Sequence, residues 1–151
     1  MHTLVRRFIK TAIGFLFAGL AIGGWMVVRR ELWLRHPTTY EVSAHTHAIL
    51  VGFVMMMILG VALWLFPRAD RADVRYRPER AELAYWLLTV GTAGRVLGEL
   101  LRPAAPALWL RWAVVLCSLA QVAGVAVFFH TMWGRIRPLG SRVREAQGER
   151  F

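Results

Sequence analysis

Long stretches of this chain carry almost no charge, and short arginine-rich segments separate them. The charge-poor stretches fall at about residues 11–28, 46–66, 83–101 and 107–133. About 20 residues of α-helix cross the roughly 30 Å hydrocarbon core of a bilayer, so each stretch is long enough to span it. The second is the most uniform, with no charged side chain from Ala48 to Phe66. The pattern predicts an all-α fold: a bundle of four transmembrane helices forming a single integral membrane domain over residues 1–151, with a C-terminal tail at 134–151. The first run follows Arg6, Arg7 and Lys10 and has the outline of a secretory signal. Its length, and the lack of a small-residue cleavage site before Arg29 and Arg30, favour a retained helix.

Composition agrees with a membrane domain and not a soluble one, at 57% hydrophobic residues and a mean hydropathy of +0.45. A net charge of +10 would point to nucleic acid in a soluble protein. Here the excess flanks the spans, where topology and anionic lipid account for it, and no nucleic-acid partner is expected. One side takes Arg6, Arg7, Lys10, Arg68, Arg71, Arg75, Arg77, Arg80, Arg135, Arg137, Arg142, Arg144 and Arg150. The other takes Arg29, Arg30, Arg35, Arg102 and Arg111. The positive-inside rule then puts both termini in the cytoplasm of a multi-pass protein, expected in a bacterial cytoplasmic (inner) membrane. The single cysteine, Cys117 in the fourth span, excludes an intrachain disulfide, a thiolate metal cage and covalent c-type haem attachment.

Candidate chemistry gathers at the outer start of the second span, where His45 and His47 stand two residues apart. Such neighbours point roughly 200° apart on a helix, so the two imidazoles are suited to different ligands on opposite faces. An imidazole at the edge of an apolar helix is costly without a partner, which makes both functional candidates, with bonds to loop carbonyls and water as the structural alternative. Gly52 and Gly60 on the same helix leave room for a cofactor, and Gly52 is the nearer contact. His36, in the preceding loop, would complete a three-histidine copper or zinc site with His45 and His47, against the opposed directions of that pair. Met55, Met56 and Met57 scatter around the helix and read as polarizable filling. Arg95 and Glu99, four apart in the third span, can pair with each other, and a guanidinium fork also matches a ligand carboxylate. Gly91, Gly94 and Gly98 leave a bare stripe beside Arg95 that also suits close helix packing. His130 closes the fourth span, roughly 25–30 Å in depth from the histidine pair, and reads as an interfacial structural residue.

The stretch from Ala44 through His45-Thr46-His47 to Pro67-Arg68 resembles the haem–copper oxidase subunit I superfamily, in particular its short relatives and the NnrS-type nitric-oxide-response haem proteins. His45 and His47 look like the His-x-His pair that, in the catalytic subunit, binds two haems on opposite faces of one helix. The resemblance implies haem b, held by His45 and His47 at iron, with Arg95, Arg102 and Arg111 toward its propionates. The familiar subunit arranges twelve helices as three four-helix arcs about a pseudo-threefold axis, and this chain corresponds to one arc. A homotrimer with haems between protomers is therefore expected. The chain lacks the His-His copper pair and the His-x-x-x-Tyr pattern, so it is not expected to be a complete oxidase or nitric oxide reductase by itself. The expected function is b-type haem binding in the membrane, for electron transfer to or from a respiratory-chain partner or for binding nitric oxide or oxygen. The competing readings are a copper- or zinc-handling membrane protein and a cofactor-free accessory subunit of a respiratory complex.

Overall fold

The computed structural model describes residues 3–67, 77–105, 107–136 and 141–148. The expected connector after Pro67, with Arg68, Arg71 and Arg75, lies largely outside the described residues, as do Arg137 and Arg150. The fold is an all-α helical bundle with α1 (Thr3–Trp33), α2 (Thr39–Leu65), α3 (Pro78–Leu101), α4 (Leu108–Met132) and the short α5 (Ser141–Ala146). α2 is continuous but changes its winding to a π-helix over Ala48–Met55.

Three of these helices are long and apolar enough to cross a membrane: α1, α2, and α4 with the turn of 3₁₀-helix that extends it to Arg135. α3 is not among them. Its 24 residues would reach ~36 Å, yet they include Glu79, Arg80, Glu82, Arg95 and Glu99. Of the expected four crossings, length and composition thus carry three.

The helices are neighbours in chain order and run alternately up and down. At the end holding the start of α1, all four long helices meet. Val5, Phe8 and Ala12 of α1 pack there with Met56, Leu59 and Leu63 of α2, Ala84, Tyr85 and Leu88 of α3, and Phe128 and Met132 of α4. The Phe8 ring lies edge-on to Tyr85 at 5.2 Å and to Phe128 at 5.9 Å, the arrangement that aromatic quadrupoles favour. The Tyr85 hydroxyl is satisfied by Thr11 Oγ1 at 2.9 Å. Met56 sits in this core with Met55 and Met57 against it, as filling side chains do. At the opposite end the buried cluster is small, Ala44, Ala48 and Val96, with Ile22 and Leu100 beside it. Outward-facing phenylalanine, leucine, tryptophan and valine side chains, such as Phe17, Leu20, Trp112, Leu116 and Val122, leave an apolar surface consistent with lipid.

The glycine stripe of α3 is occupied by α4. A Cβ on Gly91 would lie 2.8 Å from the Cys117 carbonyl oxygen, and one on Gly98 would lie 2.7 Å from Val114 Cγ2. Inside this contact Gln121 Nε2 donates to Thr92 Oγ1 at 3.0 Å, so the buried amide is not left unpaired. Of the two uses open to that stripe, close packing is the one realised.

Arg135 departs most from its expected surface role. It is buried, and its guanidinium binds the end of α2: Nε donates to the Pro67 carbonyl at 2.8 Å, and Nη2 to those of Phe66 at 2.9 Å and Leu63 at 3.1 Å. A helix leaves its last carbonyls without intrahelical donors and its C-terminus partially negative, so one cation answers both needs. Replacing Arg135 by methionine keeps the apolar stem and removes the donors. At about 1.5–3 kcal/mol for a hydrogen bond from a charged donor, the loss is expected to exceed 2 kcal/mol and to lower the thermal unfolding midpoint in detergent, measured by circular dichroism.

Candidate functional site

The histidine-bearing end is built from the loop between α1 and α2. α1 ends at Trp33, the next residue, Leu34, takes a left-handed conformation (φ 51), and Thr38 then opens α2 with a reciprocal cap. Glu41 N–H donates to Thr38 Oγ1 at 3.2 Å, and Thr38 N–H donates to Glu41 Oε2 at 2.7 Å. Arg29 of α1 forms an ion pair with the same carboxylate. The first turns of α2 are therefore held against the last turns of α1, and this sets where the next side chains point.

His45 turns onto α1. Its Nδ1 lies 2.9 Å from the Gly19 carbonyl oxygen, and its ring rests on Gly23, where a Cβ would come within 2.8 Å of Cε1. His47 stays on its own helix, with Nδ1 2.8 Å from the Ser43 carbonyl oxygen and 3.4 Å from Ser43 Oγ. The Ser43 hydroxyl donates to Glu99 Oε1 of α3 at 2.9 Å, and Arg95 Nε donates to the same oxygen at 3.1 Å. Glu99 is buried, and its Oε2 has no hydrogen-bond partner among the described residues. The two imidazoles thus hold to different partners, His45 to α1 and His47 to the Ser43 turn of α2 itself.

These contacts decide the tautomers. A carbonyl oxygen only accepts, so each Nδ1 that bonds to one carries the proton, and Nε2 of each neutral ring holds the free lone pair. A ring whose Nδ1–H is fixed by a backbone carbonyl while Nε2 is left to coordinate is the arrangement that metal-bound histidines take. The π-helical winding begins at Ala48, the residue after His47. Such winding is rare and often accompanies functional sites.

The remaining expected site residues separate. Gly52 is not free to line a cofactor: a Cβ there would lie 2.5 Å from Phe15 Cγ and 2.7 Å from its Cβ, so α1 fills the space. His36 is exposed in the loop and does not join His45 and His47, whose Nδ1 atoms are engaged by Gly19 and Ser43. Among the described residues no group of three or more His, Cys, Asp or Glu side chains is arranged to hold a metal ion. Arg95 pairs with Glu99 through Nε alone, and its terminal nitrogens have no partner among the described residues. Arg102 stands over the Tyr40 ring at 5.6 Å and reaches the Ala107 carbonyl at 3.4 Å, while Arg111 is exposed. His130 lies at the other end of α4, exposed beside a shallow groove that it shares with Arg80, Leu83, Ala126 and Val127.

Ser43 is the member that sequence reasoning left unassigned, while Gly19 and Gly23, which as sequence suit close helix packing or the approach of a flat ligand, gain a specific partner in His45. A signal existed for each: Ser43 is four residues before His47 on the same helix, and Gly19 and Gly23 have small-x-x-x-small spacing. Two substitutions separate the glycine roles. Gly23→Ala is expected to push the His45 ring off α1, and Gly52→Ala to force Phe15 to move, an overpacking cost of about 1–3 kcal/mol each. Both should lower the thermal midpoint, but only Gly23→Ala should change the ¹⁵N shifts of the His45 ring, read by nuclear magnetic resonance of labelled protein.

No family model, no curated protein and no solved structure matches this chain.

Proposed function

We propose that this protein binds haem b within the membrane and uses it for electron transfer, with His45 and His47 as the axial ligands. The observation that carries the reading is the pair of fixed imidazoles on opposite sides of one apolar helix, each holding its proton on Nδ1 against a carbonyl and leaving Nε2 to coordinate. Two further features fit. The terminal nitrogens of Arg95, without a partner among the described residues, could meet a propionate, and residues 44–68 resemble the His-x-His helix of the haem–copper oxidase subunit I superfamily. Haem iron ligated by two histidines supplies one-electron chemistry, whereas a five-coordinate iron binds diatomic gases such as nitric oxide or oxygen. In this reading His45 and His47 each donate one lone pair and Arg95 orients the carboxylates. Arg102 and Arg111, one engaged by Tyr40 and the other exposed, take a lesser part.

The proposal extends to topology and assembly. α3 would cross the inner membrane of a bacterium with α1, α2 and α4, sheltering its charges between α2 and α4, and both termini would be cytoplasmic. His45 is bonded to α1 and His47 back to its own helix, so in this reading the two do not clamp one iron between them. His36 is exposed in the loop, so a second axial imidazole for either would come from another copy of the chain. Pairing His45 of one copy with His47 of the next is a heterologous contact, which closes as a ring, and the resemblance points to a ring of three. Copper or zinc handling is the weaker reading, because the three-histidine group does not assemble.

Visible absorption of detergent-purified protein tests the proposal. A Soret band that shifts on reduction is expected, and the His45→Ala/His47→Ala double variant should lose it while still inserting. Full haem in that variant would refute the ligand assignment. Absence of haem from the wild type would leave metal handling or a cofactor-free subunit, which metal analysis separates. The mass of the haem-loaded particle is expected to be three times 17.2 kDa plus its haems. A monomer with two-histidine ligation would overturn the ring, and a monomer with five-coordinate iron would favour gas binding.

A further inference from the structure

The two imidazoles are not chemically equivalent. His45 Nδ1 meets one neutral acceptor, the Gly19 carbonyl. His47 Nδ1 meets a carbonyl and, beyond it, a directed chain to a buried carboxylate. Ser43 has a single hydroxyl proton. That proton is used toward Glu99 Oε1 at 2.9 Å, so the oxygen presents only lone pairs to the His47 Nδ1–H, 3.4 Å away. The single Nδ1–H is held first by the Ser43 carbonyl at 2.8 Å, with the hydroxyl oxygen as a longer second acceptor at 3.4 Å, and the hydroxyl proton goes on to the carboxylate.

Glu99 is 5% exposed, so water screens its charge little. Its Oε1 accepts from both Ser43 and Arg95, while Oε2 has no donor among the described residues. Arg95 offsets part of the carboxylate charge at Oε1, and the Ser43 hydroxyl, donating to the same oxygen, is polarised toward it.

We infer that Glu99, acting through the Ser43 hydroxyl, is a positioning residue that makes His47 the electron-rich member of the pair and so favours the oxidised state of whatever iron it binds. This rests on the haem reading above. An imidazole whose Nδ1–H is drawn toward an anion gains imidazolate character and becomes a stronger donor, which stabilises ferric over ferrous iron. His45, bonded to a neutral carbonyl, lacks this bias. The buried carboxylate then has a use beyond pairing with Arg95, and Ser43 has one beyond its place in α2.

The test is a redox titration of haem absorbance in the purified holoprotein, in which dithionite supplies one electron per ferric iron. Ser43→Ala removes the hydroxyl but keeps both the Ser43 backbone carbonyl and the Arg95–Glu99 pair. It should shift the ferric–ferrous equilibrium about tenfold toward ferrous, a rise of ~59 mV for a one-electron couple. Glu99→Gln should shift it the same way and at least as far, since it also leaves the Arg95 charge unbalanced. Ser43→Thr, which restores a hydroxyl, should titrate like the wild type. Haem present with an unchanged midpoint in both Ser43→Ala and Glu99→Gln would overturn the inference while leaving haem binding intact. A wild type without haem would overturn the underlying reading instead. If Ser43→Ala fails to hold haem, the contrast between Ser43→Thr and Glu99→Gln carries the test, and equal midpoints there would refute the role. A merely structural role would lower thermal stability in these variants without moving the potential.

Discussion

The histidine end of this molecule depends on how closely α1 and α2 approach. Between helices in lipid, apolar side chains gain little by leaving one hydrocarbon surface for another, so contact energy comes from backbones brought near each other through small residues. Gly23 gives the His45 ring its seat and Gly52 accepts Phe15. Gly60 stands where a Cβ would meet that of Phe8 at 2.8 Å. Because the helices meet at this distance, the Gly19 carbonyl comes within 2.9 Å of an imidazole on the neighbouring helix. Larger residues along α1 would separate the helices and remove the acceptor.

The second constraint is the cost of charge inside the bundle. Glu99 and Arg95 on α3 are placed where α2 supplies the Ser43 hydroxyl. Burial makes each of these bonds strong and makes the unpartnered Oε2 expensive. α3 has the least apolar sequence of the long helices, and it packs between α2 and α4, which shield it on two sides. Arg135 follows the same logic at the opposite end, where the carbonyls that end α2 receive its guanidinium.

These constraints divide the protein into two halves. At one end, interlocked aromatic and methionine side chains from all four long helices form a core with no evident use beyond rigidity. At the other, the buried apolar cluster shrinks to alanine and valine, and polar groups take over the contacts between α1, α2 and α3. A site meant to hold two imidazoles in fixed directions needs both: a rigid base and hydrogen bonds that lock each ring. In the proposed haem protein, the fixed Nδ1 contacts set the direction of each Nε2, and the different acceptors behind them make the two ligands unequal.

Much of this architecture was legible from local pattern. Charge-poor runs of helical length located α1, α2 and α4, because helix formation and apolar length are properties of contiguous sequence; α4 matches its run closely, while α1 and α2 begin at Thr3 and Thr39, well before residues 11 and 46. The divergence of His45 and His47 followed from helical geometry, and the Arg95–Glu99 pair from i,i+4 spacing. The π-helical winding was not legible, since Ala48–Met55 is apolar on every side and offers no polar face to reveal a change of period. Nor were the glycine roles: Gly52 suited a cofactor equally well as sequence, and only the position of Phe15 on another helix filled the space. Arg135 counted as one more flanking cation until the end of α2 was brought beside it. Sequence by itself determined which segments are helices and which side chains diverge along one helix, because those depend on neighbours in the chain. Tertiary structure alone decided what each histidine touches, which glycines are contacts and which charges are buried, because those depend on distances between helices that no local spacing encodes.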